Sequence, residues 1–137
     1  MNERSVQTDI NAMSTFINLS ALPEPTKASW VQRVQHDQRS EGLPAPTDYY
    51  VVAILEYDSP QSALSDQFSG RGDVYVEDQL LETWMPQSIS SRFVRTQEGY
   101  LMFDGKAYKA DSVLQSPLTY GYILFIDNYV FIYGATV

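Results

Sequence analysis

Thr119-Tyr120-Gly121-Tyr122-Ile123-Leu124-Phe125-Ile126-Asp127-Asn128-Tyr129-Val130-Phe131-Ile132-Tyr133-Gly134-Ala135 is the stretch that decides the architecture. Its aromatic and β-branched residues favour strands, and Asp127-Asn128 is a two-residue turn between two such runs. A hairpin closed there sets Ile126 opposite Tyr129, Leu124 opposite Phe131 and Tyr122 opposite Tyr133 on one side. Phe125 with Val130 and Ile123 with Ile132 occupy the other. Both faces are apolar or aromatic, so each needs a cover, unless the tyrosine side is itself a contact surface.

Working outward, Phe93 to Arg95 and Tyr100 to Phe103 read as strands. Asp104-Gly105 is a hairpin signal leading into Ala107-Tyr108-Lys109. Upstream, Tyr49-Tyr50-Val51-Val52-Ala53-Ile54-Leu55 is an uncharged run that predicts a strand at Tyr49 to Tyr57, buried on both faces near the centre of a sheet. Ser59 and Pro60 signal the start of a helix from Pro60 to Phe68, with Ala63, Leu64 and Phe68 inward and Gly70 as its stop. Between Arg71 and Ser91 the signals conflict. Val74 to Val76 suits a strand, Asp78 to Trp84 a helix, and Pro86 another turn.

The N-terminal third reads as helical. Val6, Ile10, Met13 and Ile17 form one stripe of an amphipathic helix of about three turns. A second helix is predicted from near Pro25, with Trp30, Val31 and Val34 on one face and Arg33, Asp37 and Arg39 on the other, ending at Gly42. Leu43-Pro44-Ala45-Pro46-Thr47-Asp48 is a stiff extended connector. The expected fold is therefore α+β: N-terminal helices packed on a mainly antiparallel sheet, a strand-rich C-terminal half, hairpins at 104-105 and 127-128, and residues 1-137 forming one domain.

Charge is unevenly spread. The formal net charge is -8 from 17 acids and 9 bases, and residues 48 to 82 hold eight of those acids against a single base. Nine scattered basic residues give no footprint for nucleic acid or an anionic membrane surface. No apolar run reaches the roughly 20 residues of a helical span, and Met1 to Ile10 lacks a secretory pattern. The compartment stays open between cytoplasm and, were a leader removed ahead of Met1, periplasm.

The absence of cysteine excludes disulfides, thiolate metal sites and cysteine nucleophiles, and one histidine, His36, leaves little room for imidazole chemistry. No phosphate-binding glycine pattern is present, and none of the serines sits in a nucleophile motif. Glu56 and Asp58, at the end of the buried strand, are the one carboxylate pair worth weighing for hydrolysis. Asp73, Glu77 and Asp78 are conceivable further oxygen ligands without calcium-loop spacing. Arg71-Gly72-Asp73 matches an integrin-recognition triplet and is read as a turn, while the sequon Asn18-Leu19-Ser20 falls in the first helix pattern.

These observations lead to the expectation of a non-catalytic acidic protein that binds or inhibits through protein contact and uses no cofactor or metal. It resembles in kind the immunity proteins that neutralise toxins, a likeness of size and charge alone. The expected partner is a basic protein, met by Asp58, Asp66, Asp73, Glu77, Asp78 and Glu82, with Tyr122, Tyr129 and Tyr133 as the aromatic part of the contact. The alternatives are a small hydrolase using Glu56 and Asp58, and an extracytoplasmic structural or lipoprotein-type domain.

Overall fold

The computed structural model describes residues 6–34 and 48–136. His36 and most of the proline-rich connector lie outside them. Among the described residues the elements are α1 (Ile10–Met13), β1 (Lys27–Val34), β2 (Tyr49–Glu56), β3 (Gly70–Arg71), β4 (Tyr75–Val76), α2 (Gln87–Ser90), β5 (Phe93–Arg95), β6 (Leu101–Phe103), β7 (Ala107–Lys109), β8 (Tyr120–Ile126) and β9 (Tyr129–Ala135). Short 3₁₀ turns cover Leu19–Ala21, Ser62–Gln67 and Asp78–Leu80. The fold is mixed but strand-dominated. A six-stranded sheet runs β1-β2-β9-β8-β7-β3, a second sheet runs β4-β6-β5, and every pairing is antiparallel.

The β8–β9 hairpin has the expected register, with Tyr122 opposite Tyr133, Leu124 opposite Phe131 and Ile126 opposite Tyr129. Asp127 holds φ at 51°, the left-handed conformation that a two-residue turn requires and that Asp tolerates. Strand β2 lies inside the sheet between β1 and β9, which is why Val51 to Leu55 are apolar without alternation. One face of the large sheet contributes Val51, Ala53, Leu55, Ile123, Val130 and Ile132 to a core closed by Met13, Phe16, Ile17, Val113 and Leu118. The other face contributes Val52, Ile54, Leu124, Ile126 and Phe131 to a core closed by the small sheet and α2 through Val74, Phe93, Phe103 and Ile89. Both apolar faces are covered, one by irregular chain and a helical turn, the other by a second sheet.

Four expectations are corrected. The second helix is strand β1 as far as Val34. Trp30 followed by Val31, read as one helical face, serves opposite faces of a strand, with Trp30 in the first core and Val31 in the second. The first helix is a single turn. Asp9 caps it by accepting from the backbone N–H groups of Asn11 (2.9 Å) and Ala12 (3.3 Å). On either side Gln7 bridges Trp30 and Ile17 bridges Leu114, so Val6 and Ile17 leave the helical stripe. The Pro60–Phe68 helix is a 3₁₀ turn over Ser62–Gln67, whose N-cap position is Gln61 rather than Ser59 and carries no side-chain capping bond. Only Leu64 and Phe68 there have core to pack against, and Ser62 and Ser65 are weak helix formers.

The fourth correction concerns Asp104-Gly105, which joins no hairpin. Strand β6 pairs with β4 and β5, whereas β7 pairs with β3 and β8, so this turn carries the chain from the small sheet to the large one. The actual hairpin partner of β6 is β5, across a loop in which Gly99 takes φ 99°. In the ambiguous 71–91 stretch, Val74 to Val76 narrows to β4. Asp78 to Trp84 yields one 3₁₀ turn, and Pro86 directly precedes α2.

Candidate functional site

The large sheet is not covered evenly. Where β2 begins and β9 ends, the small sheet stands away from it and leaves a cleft of about 540 Å³. The sheet side of this cleft is tyrosine: Tyr50 from β2, Tyr120 and Tyr122 from β8, and Tyr133 from β9. The opposing side is Val74, Tyr75, Val76 and Leu80, with Glu77 and Gln79 at the margin and Arg71 from β3. Such a volume, lined by aromatic rings and aliphatic side chains together with phenol, guanidinium, carboxylate and amide groups, suits a small ligand or a short peptide segment.

Strand alternation places these tyrosines. Tyr120 and Tyr122 are two apart on β8, Tyr133 is the cross-strand partner of Tyr122, and Tyr50 lies one strand further. Tyr122 and Tyr133 stack at 4.9 Å with 17° between planes, and Tyr50 adds a tilted contact to Tyr133 at 5.6 Å. Gly121 and Gly134 face one another in the same hairpin, and a Cβ on Gly121 would meet the Tyr133 carbonyl oxygen at 1.8 Å. The glycine there permits the close strand approach that gathers the rings.

Two polar groups in the cleft stand out. Tyr122 is only 6% exposed, and its hydroxyl is buried without a hydrogen-bond partner among the described residues. Burial, reinforced by the neighbouring Tyr133, pushes this phenol well above its usual value of 10.0, against a downward pull from Arg71. The Arg71 guanidinium lies 5.5 Å over the Tyr122 ring, and among the described residues it makes one hydrogen bond, from Nε to the carbonyl of the adjacent Gly72 at 3.3 Å. Arg71 reaches that position from the sheet edge because its strand partner is the small Ala107.

The residues singled out from sequence do not form one surface. Tyr122, Tyr133 and Glu77 line the cleft, and exposed Asp73 immediately precedes Val74. Asp78 is exposed and pairs with Arg95 at 3.0 Å. Glu82 is turned inward, gripping Arg33 at 2.7 and 3.0 Å and accepting from the Trp84 indole at 2.9 Å. Asp66 sits on the 3₁₀ turn whose Leu64 and Phe68 pack on the opposite core. Asp58, Glu56 and Tyr129 belong to the Asp127-Asn128 end of the sheet, four residues or roughly 13 Å along β9 from Tyr133. Among the described residues no three His, Asp or Glu side chains gather as a metal-holding group, and no helix is long and apolar enough to cross a membrane.

Sequence reading missed Tyr50, Tyr75, Tyr120 and Arg71. Only Arg71 carried a signal, as the single base in the acidic stretch 48 to 82. Comparison of the chain with protein-family models, curated proteins and solved structures finds no match in any of the three.

Proposed function

We propose that this chain is a non-catalytic binding protein that holds a basic protein partner at the tyrosine cleft and the sheet face beside it. The observation that carries the reading is a continuous exposed apolar surface. Val94, Met102 and Tyr75 are direct cross-strand neighbours on the outer face of the small sheet, and Tyr75 also lines the cleft. Tyr75 is 54% exposed, Val94 51% and Tyr120 44%. Tyrosines half exposed at a concave site are the side chains that anchor protein interfaces, since they offer large contact area with few rotors to order. Asp73 and Glu77, both exposed, flank Val74 to Val76 beside this surface and supply the complementary charge.

The test is capture of the partner from cells that make this protein, followed by association rates over a salt series. Complementary charge speeds encounter and is screened beyond about 8 Å at physiological salt, so the rate is expected to fall as salt rises while dissociation changes less. Asp73→Lys with Glu77→Lys is expected to slow association in the same way. A rate indifferent to salt contradicts the acidic margin. Turnover of a hydrolase substrate that is lost in Glu56→Gln, Asp58→Asn contradicts the non-catalytic reading.

A further inference from the structure

Resting on that reading, we infer that Arg71 and Tyr122 form a carboxylate subsite that receives the C-terminal residue of the partner chain. The sole base of residues 48 to 82 pairs with no carboxylate among the described residues, although eight acids share that stretch. It lies instead over the ring of a buried tyrosine whose hydroxyl has no hydrogen-bond partner among the described residues. A buried hydroxyl without a bond is costly, and a guanidinium matches a carboxylate through its planar fork. One anionic group placed between them completes both.

The remaining lining narrows the ligand. Val74, Tyr75 and Leu80 offer an apolar wall next to this polar pair, and Glu77 on the same side opposes a multiply charged anion such as phosphate. The occupant is thus an apolar group joined directly to a single carboxylate. In a polypeptide those two features fall within one residue at the C-terminus, and a cleft of about 540 Å³ admits a short tail rather than a folded surface. Binding through the terminal carboxylate is compatible with a partner that is basic overall.

The experiment uses three probes: acetyl-Ala-Ala-Ala-Phe with a free carboxylate, the same peptide as its amide, and N-acetyl-phenylalanine. Binding is followed by NMR shifts of the backbone amides of Arg71, Val74, Tyr75 and Tyr122. The peptide acid is expected to bind at least about tenfold more tightly than its amide, with that difference lost in Arg71→Gln and reduced severalfold in Tyr122→Phe. Equal binding of acid and amide, or no binding of the peptide acid at about 1 mM, overturns the carboxylate subsite. N-acetyl-phenylalanine binding as tightly as the tetrapeptide overturns the polypeptide source and assigns the cleft to a free organic acid. The wider reading fails separately: if Arg71→Gln captures the partner as well as the unaltered chain while Tyr75→Ala does not, the subsite is wrong and the binding surface stands.

Discussion

Glu82 holds Arg33 through both carboxylate oxygens, at 2.7 and 3.0 Å, across 49 residues of sequence. Each side chain is 18% exposed, so the pair is partly withdrawn from water, and it ties the segment after β4 to edge strand β1. Glu82→Gln is expected to lower stability by about 1 kcal/mol, because it removes one charge from a bidentate pair that is largely withdrawn from water. Denaturant titration measures this. Partner affinity should be unchanged, as Glu82 faces inward.

Tyr122→Phe is expected to act in the opposite sense on stability. The hydroxyl is buried without a partner among the described residues, so removing it relieves desolvation and raises stability by about 1 kcal/mol, while the ring stack on Tyr133 and Phe131 is kept. A variant that is more stable and binds less well marks the hydroxyl as retained for a ligand. A loss of stability would mean that the hydroxyl serves the fold.

Alkaline unfolding follows from Tyr57, whose hydroxyl donates to the Pro23 carbonyl at 2.9 Å and whose burial pushes its pKa from 10.0 up to about 12. Because the folded value lies above the unfolded one, the contribution of neutral Tyr57 is complete below pH 10.0 and is lost as pH rises towards about 12. Tyr122, shifted in the same direction, adds to the loss. The unfolding midpoint should fall over that window, and Tyr57→Phe should flatten the fall. Phenolate absorbance should register Tyr57 and Tyr122 only as the chain unfolds.

Tyr129 shares a face with Leu124 and Phe131 and is half-buried against the second core, at the end of the sheet away from the cleft. Tyr129→Ala is expected to cost about 2 kcal/mol, at the lower end for an aromatic truncation because part of the ring is already in water. Thermal denaturation checks the cost. Partner capture by the folded variant should equal that of the unaltered chain.

The contrast between Tyr122 and Arg71 illustrates what a sequence can reveal. Strand alternation from an Asp127-Asn128 turn fixes the partner and face of every residue from Tyr120 to Ala135, so Tyr122 and Tyr133 could be placed together. Arg71 reaches Tyr122 only because β3 and β7 join the large sheet at its far edge. Local turn chemistry at Asp104-Gly105 carries no information on which sheet the following strand enters. Trp30 and Val31 were ambiguous for a related reason, since adjacent apolar residues suit one side of a helix or both sides of a strand. The acids were legible as charge but not as surface: Glu82 is spent on Arg33, Asp78 on Arg95, and Asp66 lies over the opposite core.

The most direct measurement of the central claim is the affinity of the captured partner for the Tyr75→Ala, Tyr120→Ala double variant, by calorimetry. Both side chains are about half exposed, so their removal should leave the thermal midpoint close to that of the unaltered chain. The account predicts that affinity falls at least about thirtyfold, as expected when two aromatic anchors each worth upwards of 1 kcal/mol leave an interface. An affinity within about twofold of the unaltered chain, with the fold intact, would contradict it.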